Sequence, residues 1–183
     1  SEWNASLLLL NGWQNIRETN SGKAIGTQIQ YRPGKKWLLN LSHFIGNEKP
    51  DSIARASRFF QNLYITYAPN SRLNAALLFD WGTEKGKDWL GLALLLQYLP
   101  VEKIRFGFRA EKYKDANGII VPTRNAGGFL VNGFSLNADF VPVPALAFRA
   151  EGRYLQSPYS IFSRGNSVTQ DNFSLLFSLA VRF

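Results

Sequence analysis

The sequence predicts an all-β chain, a transmembrane antiparallel up-and-down β-barrel of about ten strands. Three observations carry that prediction. An aromatic residue stands two places before a proline four times, at Tyr31/Pro33, Tyr67/Pro69, Tyr98/Pro100 and Phe140/Pro142. Each aromatic closes a stretch of alternating apolar residues, and proline, which has no N–H to give a ladder, marks the turn that follows. The alternating stretches are also long. A tilted membrane strand needs ~9–11 residues, whereas globular strands cluster near ~5–6. Finally, the connections alternate strictly between short and long, as in barrels with short periplasmic turns and longer outer loops.

Taken in order, the strands run over 3–15, 23–32, 36–46, 57–68, 72–82, 88–99, 103–114, 128–141, 145–156 and 172–183. Asn20-Ser21-Gly22 separates the first pair, and Arg32 to Lys35 makes the first short turn. The third strand alternates Leu39, Leu41, His43 and Ile45 with Asn40, and the connection from Glu48 to Ser57 follows it. Ala68 to Arg72 joins the fourth strand to the fifth, and Thr83 to Lys87 the fifth to the sixth. The sixth contains the longest apolar run, Trp89 to Leu96, far short of the ~18 residues of a membrane helix. Leu99 to Lys103 leads to the seventh strand, Asp115 to Gly127 to the eighth, Val141 to Ala145 to the ninth and Gln156 to Asp171 to the last. An even strand count returns both ends to the short-turn side.

Parity assigns the faces. In the last strand Phe173, Leu175, Phe177, Leu179, Val181 and Phe183 share one side, and Ser174, Ser178, Ala180 and Arg182 share the other. The seventh and ninth strands repeat Phe-Arg-Ala-Glu at 108–111 and 148–151. An arginine on the lipid face near the midplane would cost ~2–4 kcal/mol, so a polar, wet interior is required. The expected lumen residues are Arg32, Asp80, Arg105, Arg109, Glu111, Asp139, Arg149, Glu151, Arg153 and Arg182. Gln28, Gln30, Asn40, Asn62, Asn74, Gln97 and Asn137 join them by parity. Two readings of these charges stay open: a neutralised filling, or a passage favouring anions because inward arginines outnumber inward acids.

Aromatic rings prefer the boundary of lipid and water. If odd strands rise from the short-turn side, Trp3, Tyr31, Trp37, Tyr67, Tyr98, Phe140 and Phe183 form a lower girdle, and Trp13, Trp81 and Trp89 an upper one.

Composition narrows the function. The 183 residues show no internal break, so 1–183 is read as a single domain. Hydrophobic residues make up 45%, yet mean hydropathy is −0.16, so apolar and polar residues are mixed at short range. No basic start precedes an apolar core and cleavage site, so an export signal is expected to have been removed already. With no cysteine and one histidine, neither a disulfide framework nor a thiolate or multi-histidine metal site is expected, and no cofactor. The formal charge of +8 is spread without a run of five basic residues, which argues against a nucleic-acid partner.

Several segments resemble the OmpL-like putative β-barrel porin family. They are Asn11-Gly12-Trp13-Gln14-Asn15 with Gly22-Lys23 and Gly26-Thr27-Gln28-Ile29-Gln30-Tyr31, then Trp89-Leu90-Gly91-Leu92-Ala93, Arg109-Ala110-Glu111 through Gly118, and Arg149-Ala150-Glu151-Gly152-Arg153-Tyr154. The similarity covers nearly the whole chain and implies a bacterial outer-membrane barrel that passes small solutes without a catalytic site. Members of the family are longer, and this sequence resembles their C-terminal portion, so further strands ahead of Ser1 are weighed. Barrel diameter grows with strand number, and a narrow barrel can be filled by its own side chains.

The expected function is therefore a porin-like channel for passive diffusion of small solutes or ions, with weak anion preference, in the bacterial outer membrane. The expected partners are outer-membrane lipid and lipopolysaccharide, and the barrel-assembly machinery through the C-terminal strand ending in Phe183. The alternative is a plugged barrel that presents its outer loops or docks in a larger membrane complex. A hydrolase ranks lower: His43 would need Asp51 or Asp80 to orient it, and parity turns His43 outward and Asp80 inward. A soluble ligand-binding barrel would reverse both faces.

Overall fold

The computed structural model describes residues 2–13, 17 and 19–182. Its strands are β1 (Trp3–Leu10), β2 (Ala24–Tyr31), β3 (Trp37–Asn47), β4 (Ser57–Asn70), β5 (Leu73–Glu84), β6 (Lys87–Val101), β7 (Ile104–Asp115), β8 (Phe129–Val143), β9 (Leu146–Gln156), β10 (Phe162–Arg164), β11 (Ser167–Thr169) and β12 (Asp171–Val181). Ten of them form one antiparallel sheet in the order β1-β2-β3-β4-β5-β6-β7-β8-β9-β12, and β10 and β11 form a small hairpin inside the last long loop. No helix is long and apolar enough to cross a membrane among the described residues. The sheet has two edges, β1 and β12, each laddered to a single neighbour.

Two boundaries differ from the sequence reading, each for a local reason. The first strand stops at Leu10 instead of continuing to 15, because the chain leaves the sheet and Trp13 gives its backbone N–H to Glu48 Oε1 at 3.0 Å. Three of the four prolines do not end their strands either, whereas Pro33 lies past the end of β2 at Tyr31. β4, β6 and β8 run through Pro69, Pro100 and Pro142, and the register slips at Tyr67/Asn70, Tyr98/Val101 and Phe140/Val143. A bulge absorbs the missing donor, since the extra residue stands outside the ladder. The residue after each aromatic then ties the strand to the neighbouring turn: Ala68 N–H to Lys36 O, Leu99 N–H to Arg72 O and Val141 N–H to Lys103 O, all at 2.8 Å. In β4, β6 and β8 the aromatic-x-proline signal therefore marks a bulged strand end.

Exposure decides the faces. On β8, Phe134, Leu136 and Phe140 are 49%, 67% and 50% exposed, while their alternates Val131, Ser135 and Asp139 are 7–8% exposed. Phe177 on β12 is 79% exposed. Among the described residues the buried hydrophobic side chains are Ala24, Phe44, Ala56, Trp89 and Val131. So small a set cannot hold a water-soluble domain of this length, whose stability would rest on apolar burial. Most of the Leu, Ile and Phe residues of the strands line the outside, where hydrocarbon takes the place of a core. The soluble-barrel reading, with the apolar face inward, is overturned by this arrangement.

Candidate functional site: the interior face

The sheet curls so that β4 to β9 share one interior surface, and that surface divides into three levels along the strands. At the long-loop end, a cavity of about 610 Å³ is lined by Trp13, Phe60 and Trp89 above Asn62, Asp80 and Glu111. Trp13 packs on Phe60 at 4.5 Å, Trp89 at 5.9 Å and Phe44 at 6.0 Å between ring centroids. The Arg58 guanidinium lies beside this Trp13–Trp89 pair, 5.5 and 5.6 Å from the two rings. A cation over an aromatic face is attracted by the ring quadrupole, more so away from water. Arg58 also bonds Glu84, whose side chain is 2% exposed and takes Lys49 on its other oxygen at 2.8 Å. Trp89 reaches this position because Gly82, its ladder partner, has no side chain: a Cβ there would lie 2.0 Å from Trp89 Cζ2.

The loop over 116–128 closes over the same level. Asp115, fully buried, accepts the backbone N–H groups of Ile119, Ile120 and Val121 at 2.7–2.9 Å, which turns Ile120 and Val121 into the cavity. Tyr159 from the last loop stands against Gly127, where a Cβ would meet its ring at 2.2 Å. The loops over 116–128 and 157–170 thus lean on each other at the mouth.

The middle level carries a charged junction. Glu111 takes Arg109 on one oxygen and Arg153 on the other. Glu111 and Arg153 line the upper cavity, whereas Arg109, Arg149 and Glu151 line a second cavity of about 560 Å³ below it. Asp80 holds Asn62 Nδ2 at 2.7 Å. At the lower level Arg149 grips Asp139 through two bonds of 2.7 Å, and Asn137 bonds the same carboxylate at 3.1 Å. Arg105 faces Asp139 in the ladder yet makes no ion pair among the described residues, and its buried Nε has no partner. Below Asp80, Arg58 and Glu84 the wall from β2 to β6 carries neutral amides and hydroxyls, linked through Gln30 to Tyr64, Asn40 to Asn62 and Asn74 to Gln97.

Of the expected lumen residues, Asp80, Arg105, Arg109, Glu111, Asp139, Arg149, Glu151 and Arg153 share the parity of these cavities. Arg32 and Arg182 line neither of these two cavities. They follow β2 and β12 at the lower rim, exposed, with backbone N–H groups on Glu2 O and Ala145 O. Among the girdle residues, Trp3 stacks on Tyr31 at 4.2 Å and Trp37 on Tyr67 at 4.1 Å, and Phe140 lies by Phe148 at 6.4 Å. Tyr98 is half-exposed on the same rim. Trp81 looks outward beside Phe59. Trp13 and Trp89 point to the interior, against the expected upper girdle: Trp89 has the parity of Gly91 and Ala93, and Trp13 lies beyond the strand whose parity was extended to it. Phe183 lies outside the described residues.

Arg58, Glu84 and Phe60 are the interior residues that sequence reasoning missed. Their signal was available, because Arg58 and Phe60 keep the parity of Asn62, and Glu84 that of Asp80. His43 looks outward, with Thr27 Oγ1 at 3.2 Å from Nδ1 and Phe59 at 5.9 Å. Asp80 is on the other face, and Asp51 accepts the Ser21 N–H, so among the described residues neither carboxylate orients the imidazole. No group of three metal-ligating side chains occurs among the described residues.

A sequence-family model described as putative beta-barrel porin-2, OmpL-like, matches residues 1–183. Among solved structures, the NanC porin in a rhombohedral crystal form is similar with a TM-score of 0.60 at 10% identity, over 99% of this chain and 93% of that one. No curated protein matches the sequence.

Proposed function

This chain belongs to the OmpL-like putative β-barrel porin family, and from that premise we propose that it is an outer-membrane channel for passive diffusion of small solutes or ions, weakly favouring anions. The observation that carries the reading is the pairing of an apolar, exposed exterior with an interior of ion pairs and amides. Such an interior needs water, and the chemistry of passage is then electrostatic, without cofactor or covalent step. The same features support a channel over an enzyme.

The anion preference rests on the lower mouth more than on the lumen. Within the strands, Arg105, Arg109, Arg149 and Arg153 are matched in number by Asp80, Glu111, Asp139 and Glu151. At the short-turn rim, Arg32, Lys35, Lys36, Arg72, Lys103 and Arg182 face only Glu2 and Glu102. A net positive rim raises the local concentration of anions before they enter.

One observation favours a second reading. The cluster of Trp13, Trp89 and Arg58 and the inward loop residues occupy the upper mouth, which suits a plugged barrel. Single-channel recording of the folded protein in a planar bilayer under a salt gradient separates the two. Discrete steps with an anion-directed reversal potential are the expected result. Silence from a folded, inserted chain would refute the channel.

A further inference from the structure

The outward face carries one feature that lipid contact alone does not explain. Among outward-facing strand residues the cations are Lys112 and Lys114 on β7, two positions apart and so on one side, ~7 Å from each other. Across the ladder, Lys112 meets Asn132, which meets Gln156, and Lys114 meets Leu130. One row lower come Ala110, Phe134 and Tyr154, so the apolar band ends between these rows. Ser157 and Pro158 overhang the polar row, and together these residues line a groove of about 590 Å³ on the long-loop side.

Neither lysine has an ion-pair partner among the described residues. Of the acids on this face, Asp171 lies beyond Gln156 in the same row, three strands from Lys112, and Asp88 is the diagonal neighbour of Lys114, past its ladder partner Leu90, and forms no ion pair with it. Two neighbouring ammonium groups without an ion-pair partner, at the upper border of a hydrocarbon-facing band, repel each other unless an anion bridges them. Amide donors beside them suit the several oxygens of a phosphate.

We propose that the row of Lys112, Lys114, Asn132 and Gln156 binds the phosphate of a phosphorylated glycolipid headgroup in the outer leaflet, whose acyl chains lie on the Phe134–Tyr154 band below. The proposal rests on the outer-membrane reading but not on conduction. Retention of purified lipopolysaccharide by the detergent-folded protein, read by native mass spectrometry, tests it. Each lysine contributes about fivefold to affinity, so the Lys112→Gln/Lys114→Gln variant should bind about 25-fold more weakly. Dephosphorylated lipopolysaccharide should bind the unaltered protein as weakly as that variant does, and millimolar inorganic phosphate should fail to displace the lipid. Equal retention by the variant, equal retention of the dephosphorylated lipid, or full displacement by phosphate would each overturn the site. Because both lysines face away from the lumen, the variant's conductance should be unchanged, so a failed channel and a failed lipid site give different results.

Discussion

Replacing Arg105 with glutamine should turn the channel toward cations, and the structure sets the size of the change. The other interior arginines are spent on carboxylates: Arg109 and Arg153 on Glu111, Arg149 on Asp139. Arg149 with Asp139 presents only a short-range dipole and Glu111 offsets one of its two arginines, whereas Arg105 has no ion pair among the described residues and presents a whole charge. Its ladder partner Asp139 keeps both bonds to Arg149 after the substitution, so nothing is orphaned. For an ion passing ~6 Å away through water, a unit charge contributes about 0.7 kcal/mol. Screening at 0.1 M salt reduces this to about 0.4 kcal/mol. Removing it lowers the barrier for cations and raises that for anions by the same amount, so the permeability ratio shifts by about 0.8 kcal/mol, close to fourfold. Reversal potentials in a tenfold potassium chloride gradient measure this ratio. An unchanged ratio in a folded Arg105→Gln channel would remove Arg105 from the ion path.

Three further substitutions probe the rest of the framework. Gly82→Ala would place a methyl 2.0 Å from Trp89, so we expect a loss of about 1–3 kcal/mol in urea unfolding and a shifted tryptophan emission; an unaltered spectrum would show that Trp89 does not fill that position. Arg58→Met leaves Glu84 buried with Lys49 alone, which should cost about 3 kcal/mol while enlarging the upper mouth. A lower unitary conductance in this variant would contradict the placement of Arg58 in the passage. Leu94→Arg, on the outward face, should cost about 2–4 kcal/mol when unfolding from lipid vesicles is followed, whereas Ala93→Arg, on the interior, should fold and reduce conductance; equal penalties would mean the faces are misassigned.

Strand order and parity were legible because the side-chain period of a strand is two and each run is long enough to repeat it several times. Phe108-Arg109-Ala110-Glu111 and Phe148-Arg149-Ala150-Glu151 alone fix the faces of β7 and β9. What failed lay at strand ends, where period two stops. Trp13 was read as if β1 continued to it, and a hydrogen bond to Glu48, 35 positions away, draws it inward instead. Trp89 was read by height along the barrel and not by parity, and the space that admits it is the absent side chain of Gly82 on the next strand. The ion pairs could not be assigned either. Glu111 joins a residue two places along its own strand and one 42 places away, and only the register of β7, β8 and β9 brings the three together.

The two edges of the sheet have a thermodynamic consequence of their own. β1 and β12 run in opposite directions, and each offers one row of backbone N–H and C=O groups with no ladder partner in the sheet. In water those groups are solvated and an edge is tolerable. In hydrocarbon each unsatisfied group costs several kcal/mol, so the bilayer drives both edges into further ladders, with each other or with another strand. Hydrocarbon thereby acts as the closing agent of the fold. Whichever strands complete those two ladders, any treatment that rehydrates the edges weakens the closure at β1 and β12 before it reaches the ion pairs of β7 to β9.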